Sequence, residues 1–184
     1  IIPIHGTQGD GDTVLSISRD ITRRKHEELL LRLQTNILDL VVRGEPLDIV
    51  LHSIVQQIES EVPDLVCSVL LLDREREHLI CGAAPSLPQF YNDAVEGLLI
   101  GEQVGSCGHA AATGELTIVA DIQSHPYWQP YRELAKRAGV AACWSQPIHG
   151  NQGEVIGTFG IYYPEPREPD TMHLNLIRAA AQLT

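Results

Sequence analysis

The eight residues from Leu65 to Leu72, LVCSVLLL, are apolar on both faces of an extended strand. Such a strand belongs in the middle of a sheet that is covered on both sides. That requirement removes open one-layer sheets and simple helical bundles, and it calls for helices flanking a sheet. The chain can meet it. Its 184 residues, 43% of them hydrophobic, suffice for a core without disulfides or metals.

The remaining elements fit around this strand. LICGAAP reads as a second strand, joined to the first by the charged connection REREH. Residues 87–99 predict a short helix and a turn. GSCGHAAATGE predicts a small-residue helix from Gly105–Ser106 to Gly114. LTIVAD is a strand, and SHPYWQPYRELAKRAG is a Pro-interrupted loop followed by a helix ending at Gly139. VAACWSQPIHG and EVIGTFGIYYP are two strands about the turn GNQG, and residues 170–184 form a last helix with Asp170 as its cap. The fold class is therefore α+β: a central, mostly antiparallel sheet with helices on both faces.

Two helices precede the sheet. LDIVLHSIVQQIESE, residues 47–61, is amphipathic and stops before Pro63. Upstream, RDITRRKHEELLLRLQTNILDLVVRGEP carries Leu30, Leu33, Ile37 and Leu40 at heptad-like spacings. A second stripe, Leu31, Leu38 and Val42, leaves both faces of this helix in need of a partner. A parallel homodimer is expected through Leu30, Leu33, Ile37 and Leu40, joined by Leu174, Ile177 and Leu183 of the last helix. The plainer alternative is an amphipathic helix packed on its own domain. Residues 1–19 read as a β-hairpin, IIPIH and TVLSIS about GTQGDGD, which two strands alone would hold only marginally. The chain begins without Met, as a fragment of something longer would.

Thirteen Lys and Arg against twenty-four Asp and Glu leave a net charge of −11, which repels a phosphate backbone and argues against nucleic-acid binding. No apolar run is long enough to span a bilayer and no secretory signal is visible, so no membrane contact is expected from this fragment. Cys67, Cys81, Cys107 and Cys143 are scattered without C-x-x-C or zinc spacing, which reads as reduced thiols in a cytoplasmic protein. The eight histidines form no ligand motif, and no metal site is expected.

Three segments, GSCGHAAATGELTIVADIQSHPYW, GVAACWSQPI and GEVIGTFGIYYPEPREP, resemble the GAF domain, a ligand-sensing module of signalling proteins. The likeness is to the version found in bacterial sensors with GGDEF or EAL domains and in hybrid histidine kinases. VLSISRDITRRKHEE resembles the terminal strand and D-I-T junction of a PAS domain. The resemblance implies a PAS remnant over 1–25, a signalling helix over 26–45 and a GAF sandwich over 46–184, whose first helix overlaps the linker. It implies a non-catalytic regulatory module that senses a small ligand of unknown identity, or redox state. Its signal would pass along dimeric helices to a fused output domain, a diguanylate cyclase or phosphodiesterase acting on cyclic-di-GMP before a histidine kinase. A ligand-free dimerisation spacer is a further alternative.

The expected pocket lies between the sheet and the helix at Ser106, with Ser106, Cys107, Asp121, Trp128, Cys143 and Ser145 as ligand-binding walls. Cys107 sits where a helix start favours a thiolate; close packing of small residues would explain GSCG equally. Strand alternation puts Cys143 and Ser145 on one face and Trp144 and Gln146 on the other. Free methionine sulfoxide reductases share the GAF fold, and their C-G-x-A corresponds to Cys107–Gly108–His109–Ala110 and their second cysteine to Cys143. The chain departs from them at Trp144 and at Ser145–Gln146, where they carry acidic residues, which weighs against an enzyme and against catalytic residues here. Haem and bilin are disfavoured: Gly108 interrupts the Cys–His dipeptide of bilin-binding domains, and few aromatic residues are available to line a tetrapyrrole. No cofactor is otherwise implied.

Overall fold

The computed structural model describes residues 28–184. The expected hairpin over 1–19, the PAS-like stretch over 1–25 and residues 26–27 of the expected signalling helix lie outside the described residues. Helix α1 occupies 28–42, and α2 spans Leu47–Glu61. Strands β1 (Val66–Leu72) and β2 (His78–Ala83) follow, then α3 (Gln89–Val95) and the two-residue β3 (Leu98–Leu99). Next come α4 (Gly105–Thr113), β4 (Thr117–Val119), a 3-10 turn over Pro126–Tyr131 and α5 (Arg132–Ala138). Strands β5 (Ala142–His149) and β6 (Val155–Tyr163) and helix α6 (Thr171–Leu183) complete the chain.

The six strands lie in the order β3-β2-β1-β6-β5-β4, every neighbouring pair antiparallel. Strand β1 is interior, as its two apolar faces require. Cys67 and Val69 point into one core with α1, α2 and α6, and Leu70 points into a second core with α3, α4 and α5. Residues 87–99 differ from expectation by the short strand β3, whose two residues pair with His78 and Leu79. A two-residue edge strand carries no periodicity that a sequence could reveal.

Local chemistry sets the ends of the elements. Gly114 and Gly139 close α4 and α5 in left-handed backbone, at φ 71° and 74°. The Asp170 carboxylate accepts the His173 N–H at 2.9 Å and caps α6 as expected. Between α1 and α2, the Asn36 side-chain amide donates to Ser53 Oγ at 2.7 Å and to Gln57 Oε1 at 3.3 Å, which fixes the pitch of one helix on the other.

The expected dimer seam is corrected here. Leu33 and Ile177 are fully buried against the chain's own sheet, and Leu30, Ile37, Leu40 and Leu183 pack on the same core. Leu174 is only partly exposed. These contacts are intramolecular because α1 and α6 cover one sheet face and must spend their apolar stripes there. The stripe left in water is the second one: Leu31 and Leu38 are each 64% exposed and Val42 84%.

Glycine matters most at Gly157, where β6 passes β1 opposite Leu71. A Cβ there would run into the Leu70 carbonyl oxygen and stand 3.2 Å from Leu71 Cα. Backbone cannot give way cheaply, so Gly157→Ala is expected to destabilise by on the order of 1–3 kcal/mol in urea titrations. An unchanged midpoint would show that the two strands separate freely.

Candidate functional site

The α4 face of the sheet holds the site. Helix α4 lies across β5 and β6, and its small residues let it come close. At Gly160 of β6, a Cβ would stand 2.8 Å from Ser68 Oγ and 3.3 Å from Cys107 Sγ. The absence of that atom brings the Cys107 thiol down onto the strand. Cys107 is 6% exposed, and Cys143 and Ser145 not at all.

Polar groups converge on the buried sulfur. Tyr162 OH lies 3.6 Å from Cys107 Sγ and 3.2 Å from Ser68 Oγ. The hydroxyls of Ser145 and Thr158, both fully buried, have no hydrogen-bond partner. A hydrogen bond from the Cys143 thiol is the largest influence on Cys107; burial opposes it, and Ser145, Tyr162 and Thr158 add to it, so the thiol is brought down to about 6. Burial, and then its neighbour Cys107, push the Cys143 thiol well up. The two shifts run in opposite directions and make Cys107 the more acidic of the two thiols. The sequence argument credited the helix start; in the structure hydroxyl and thiol donors supply the effect. Burial, with Glu59 adding to it, holds the Cys67 thiol well above its usual range on the opposite face.

A second chain of hydrogen bonds closes the site from the side. Trp128 Nε1 donates to Ser106 Oγ at 3.0 Å, and Ser106 Oγ donates to the Cys143 carbonyl at 3.1 Å. The 3-10 turn is thereby fastened to the start of α4 and to β5. Beside Cys107 and Trp128 a small cavity remains, bounded also by Tyr91, Tyr131, Leu134 and Tyr162. It measures about 30 Å³, room for roughly two waters. No charged side chain lines it among the described residues.

Five of the six expected wall residues thus gather: Ser106, Cys107 and Trp128 line the cavity, and Cys143 and Ser145 sit behind Cys107. Asp121 is the exception. Its carboxylate accepts the Gln123 N–H at 3.0 Å and shapes the loop before the 3-10 turn. An Asp two residues into a loop is a turn residue before it is a ligand. Sequence reasoning missed Tyr162, Tyr91, Ser68 and Thr158. The available signal for Tyr162 was alternation along GTFGIYY, which places Gly160 and Tyr162 on one face.

His109 is engaged locally. Its Nδ1–H donates to the Glu102 carbonyl at 2.6 Å, and its ring stacks on Tyr127 at 4.5 Å. Among the described residues no cluster of three or more His, Cys, Asp or Glu could hold a metal ion, and no helix is long and apolar enough to cross a membrane. A larger groove of about 400 Å³ opens between α2 and α3, but its carboxylates are occupied: Glu96 accepts the Cys81 N–H and Asp93 the Gln89 amide, each at 2.8 Å.

The chain belongs to the GAF domain family, whose model matches residues 44–184. It is 42% identical over 164 residues to the methyl sulfide methyltransferase-associated sensor of Methanosarcina acetivorans, covering 89% of this chain and 16% of that protein. This chain therefore spans about a sixth of the length of that relative. Among solved structures, the free methionine-R-sulfoxide reductase of Neisseria meningitidis superposes with a TM-score of 0.67 at 17% identity, covering 98% of this chain and 92% of that one. A domain of a two-component sensor histidine kinase protein from Sinorhizobium meliloti gives 0.61 at 23%, covering 76% and 88%. At these identities the structural likenesses carry the fold alone.

Proposed function

We propose that this chain is a regulatory sensor domain of a multidomain signal-transduction protein, taking its input at the Cys107 cavity and relaying it to a fused output domain through α1 and α6 of a homodimer. One observation carries this reading. Strand β5 serves both faces with two consecutive residues. Cys143 lies in the same core cluster as Cys107, while Trp144 beside it packs edge-on against His173 of α6, with ring centroids 5.2 Å apart. Trp144 Nε1 also donates to the Arg167 carbonyl in the segment leading to α6. A change at the cavity that tilts this strand must be felt by α6. An output of cyclic-di-GMP synthesis or hydrolysis, or of a histidine kinase, rests on the resemblance; the sensor name of the relative supports a signalling role.

Hydrogen exchange tests the relay. Ser145→Ala removes one hydroxyl from the cavity side and touches nothing on the α6 side. Amide exchange in α6 is expected to change several-fold. A change confined to α4 and residues 121–131 would refute the relay.

A second reading is a thiol enzyme reducing free methionine sulfoxide, favoured by the burial of Cys107 and Cys143 in one core cluster and by the fold of the Neisseria reductase. The uncharged lining and the 30 Å³ of space oppose it, since a zwitterionic amino acid needs charged partners and several times that room. No turnover of methionine sulfoxide with a dithiol reductant is expected; turnover above the Cys107→Ser background would reverse the conclusion.

A further inference from the structure

We propose that His125 is a proton-operated latch: as a neutral ring it caps the 3-10 turn that closes the Cys107 cavity, and on protonation it releases that turn. This deepens the sensor reading above, on which it rests for the role of the cavity; the latch itself stands on the contacts around His125.

The cap is a side-chain hydrogen bond. Tyr127 N–H donates to His125 Nδ1 at 3.3 Å, at the head of the turn over Pro126–Tyr131. A ring nitrogen accepts only where it carries no proton, so the hydrogen of His125 sits on Nε2. A second proton turns Nδ1 from acceptor to donor, and the bond to Tyr127 is lost. What the cap holds is a wall of the cavity. Trp128 and Tyr131 line it, and Trp128 Nε1 ties the turn to Ser106 Oγ. The Trp128 backbone N–H donates to the His125 carbonyl at 3.2 Å, so the ring and the backbone of one residue together set the start of the turn.

The surroundings oppose a charge on this ring. His109 of α4 and His125 flank the same phenol: each imidazole centroid lies 4.5 Å from that of Tyr127, His109 stacked on it and His125 inclined at 71°. The Tyr127 face can hold one imidazolium; a second beside it is repelled. Cys107 is the other titratable group on α4. From α5, Arg132 brings a further cation, donating Nη2–H to the His125 carbonyl at 3.3 Å. Arg137 lies over the Phe90 ring instead, and Glu133 and Lys136 are exposed. Asp121, the one carboxylate among residues 120–125, accepts the Gln123 N–H. Burial, and then His109, accordingly hold His125 below its ordinary 6.5. The closed turn thus disfavours a proton that the released ring takes up near 6.5, so falling pH favours the open turn and rising pH restores the closed one.

The chain supplies its own internal reference for the test. Trp128 bonds across the cavity side, and Trp144 Nε1 donates to the Arg167 carbonyl on the other face. NMR of the 15N-labelled 184-residue chain reads the water exchange of both indole N–H groups from about pH 7.5 down to about pH 5. The ratio of Trp128 to Trp144 exchange is expected to rise several-fold, with the Tyr127 amide shift and the His125 ring sharing one midpoint below 6.5. At neutral pH the His125 proton should be found on Nε2. His125→Asn keeps a capping side chain that does not titrate, so its ratio should stay flat. His109→Gln should move the His125 midpoint up, and Cys107→Ser should keep the step. Circular dichroism checks each variant for folding. A flat ratio in the wild-type chain, a His125 proton on Nδ1, a step that survives in His125→Asn, or one that vanishes in Cys107→Ser would each overturn the latch. The two readings fail separately. An acid step at Trp128 without altered α6 exchange leaves the latch standing and removes the relay. A flat Trp128 ratio, with altered α6 exchange in Ser145→Ala, does the opposite.

Discussion

Glutamate at Leu33 is expected to abolish the folded domain, whereas glutamate at both Leu31 and Leu38 leaves it folded and monomeric. Leu33 is fully buried in the core shared by α1, α2, α6 and the sheet. A carboxylate there has no partner, and burying it costs several kcal/mol on top of the lost leucine packing. Against a total stability of roughly 5–15 kcal/mol, that loss is decisive. The heptad reading of the sequence treats Leu33 and Ile37 as dimer contacts; the burial of Leu33 and the packing of Ile37 on the same core reverse that expectation.

Leu31 and Leu38 present the opposite case. Each is 64% exposed and seven residues from the other, on the same stripe as Thr35 and Val42. The spacing alternates four, three, four, with leucine at one seam position and a β-branched residue at the next, a pattern that favours two parallel strands. Burying three or four such side chains contributes on the order of several kcal/mol, at about 1.5–3 kcal/mol each, before association entropy is charged. A weak dimer is the expected state. Light scattering across concentration, with circular dichroism for folding, separates the outcomes. A wild-type chain that stays monomeric at high concentration, or a Leu31→Glu/Leu38→Glu chain that still dimerises, removes this stripe as the interface.

The two stripes of α1 show where sequence reading stops. Both are apolar and both have helical spacing. Nothing in the local pattern says which one meets the chain's own sheet, because that depends on how α1 docks beside α2, through Asn36 to Ser53 and Gln57. Strands were more legible. The double apolar face of β1 placed it inside the sheet, and alternation in ACWSQP put Cys143 and Ser145 on one face and Trp144 on the other; the resemblance to GAF domains turned the first face toward the cavity. The shell around Cys107 was not legible, since Ser68, Thr158 and Tyr162 come from β1 and β6, far away in the chain. Their approach to the sulfur depends on strand register, Ser68 opposite Gly160 and Cys143 opposite Tyr162. The thiol could be nominated from GSCG, but the source of its acidity could not.

That acidity should be visible in folding stability. Cys107 is held at about 6 in the folded chain against the usual 9.0. Between these values the unfolded chain keeps a proton that the folded chain has released. Stability rises with pH wherever the unfolded state binds more protons, so the Cys107 contribution grows from about pH 6 to about pH 9 and is lost as pH falls through 6. Cys143 and Tyr162 act in the other direction. Burial raises both, so above pH 9 the unfolded chain ionises first and stability falls. His125, lowered by burial and then by His109, adds a rise of its own on the acid side, which makes pH 6.5–8.5 the clean window. Urea midpoints measured there under reducing conditions should climb with pH in the wild-type chain, by at most about 1 kcal/mol per pH unit. In Cys107→Ser the climb should vanish while the alkaline fall persists, because Cys143 and Tyr162 remain buried. Parallel curves for the two chains across this window would mean that Cys107 carries its proton like an ordinary buried thiol, and the hydroxyls of Ser145, Thr158 and Tyr162 would then serve packing alone.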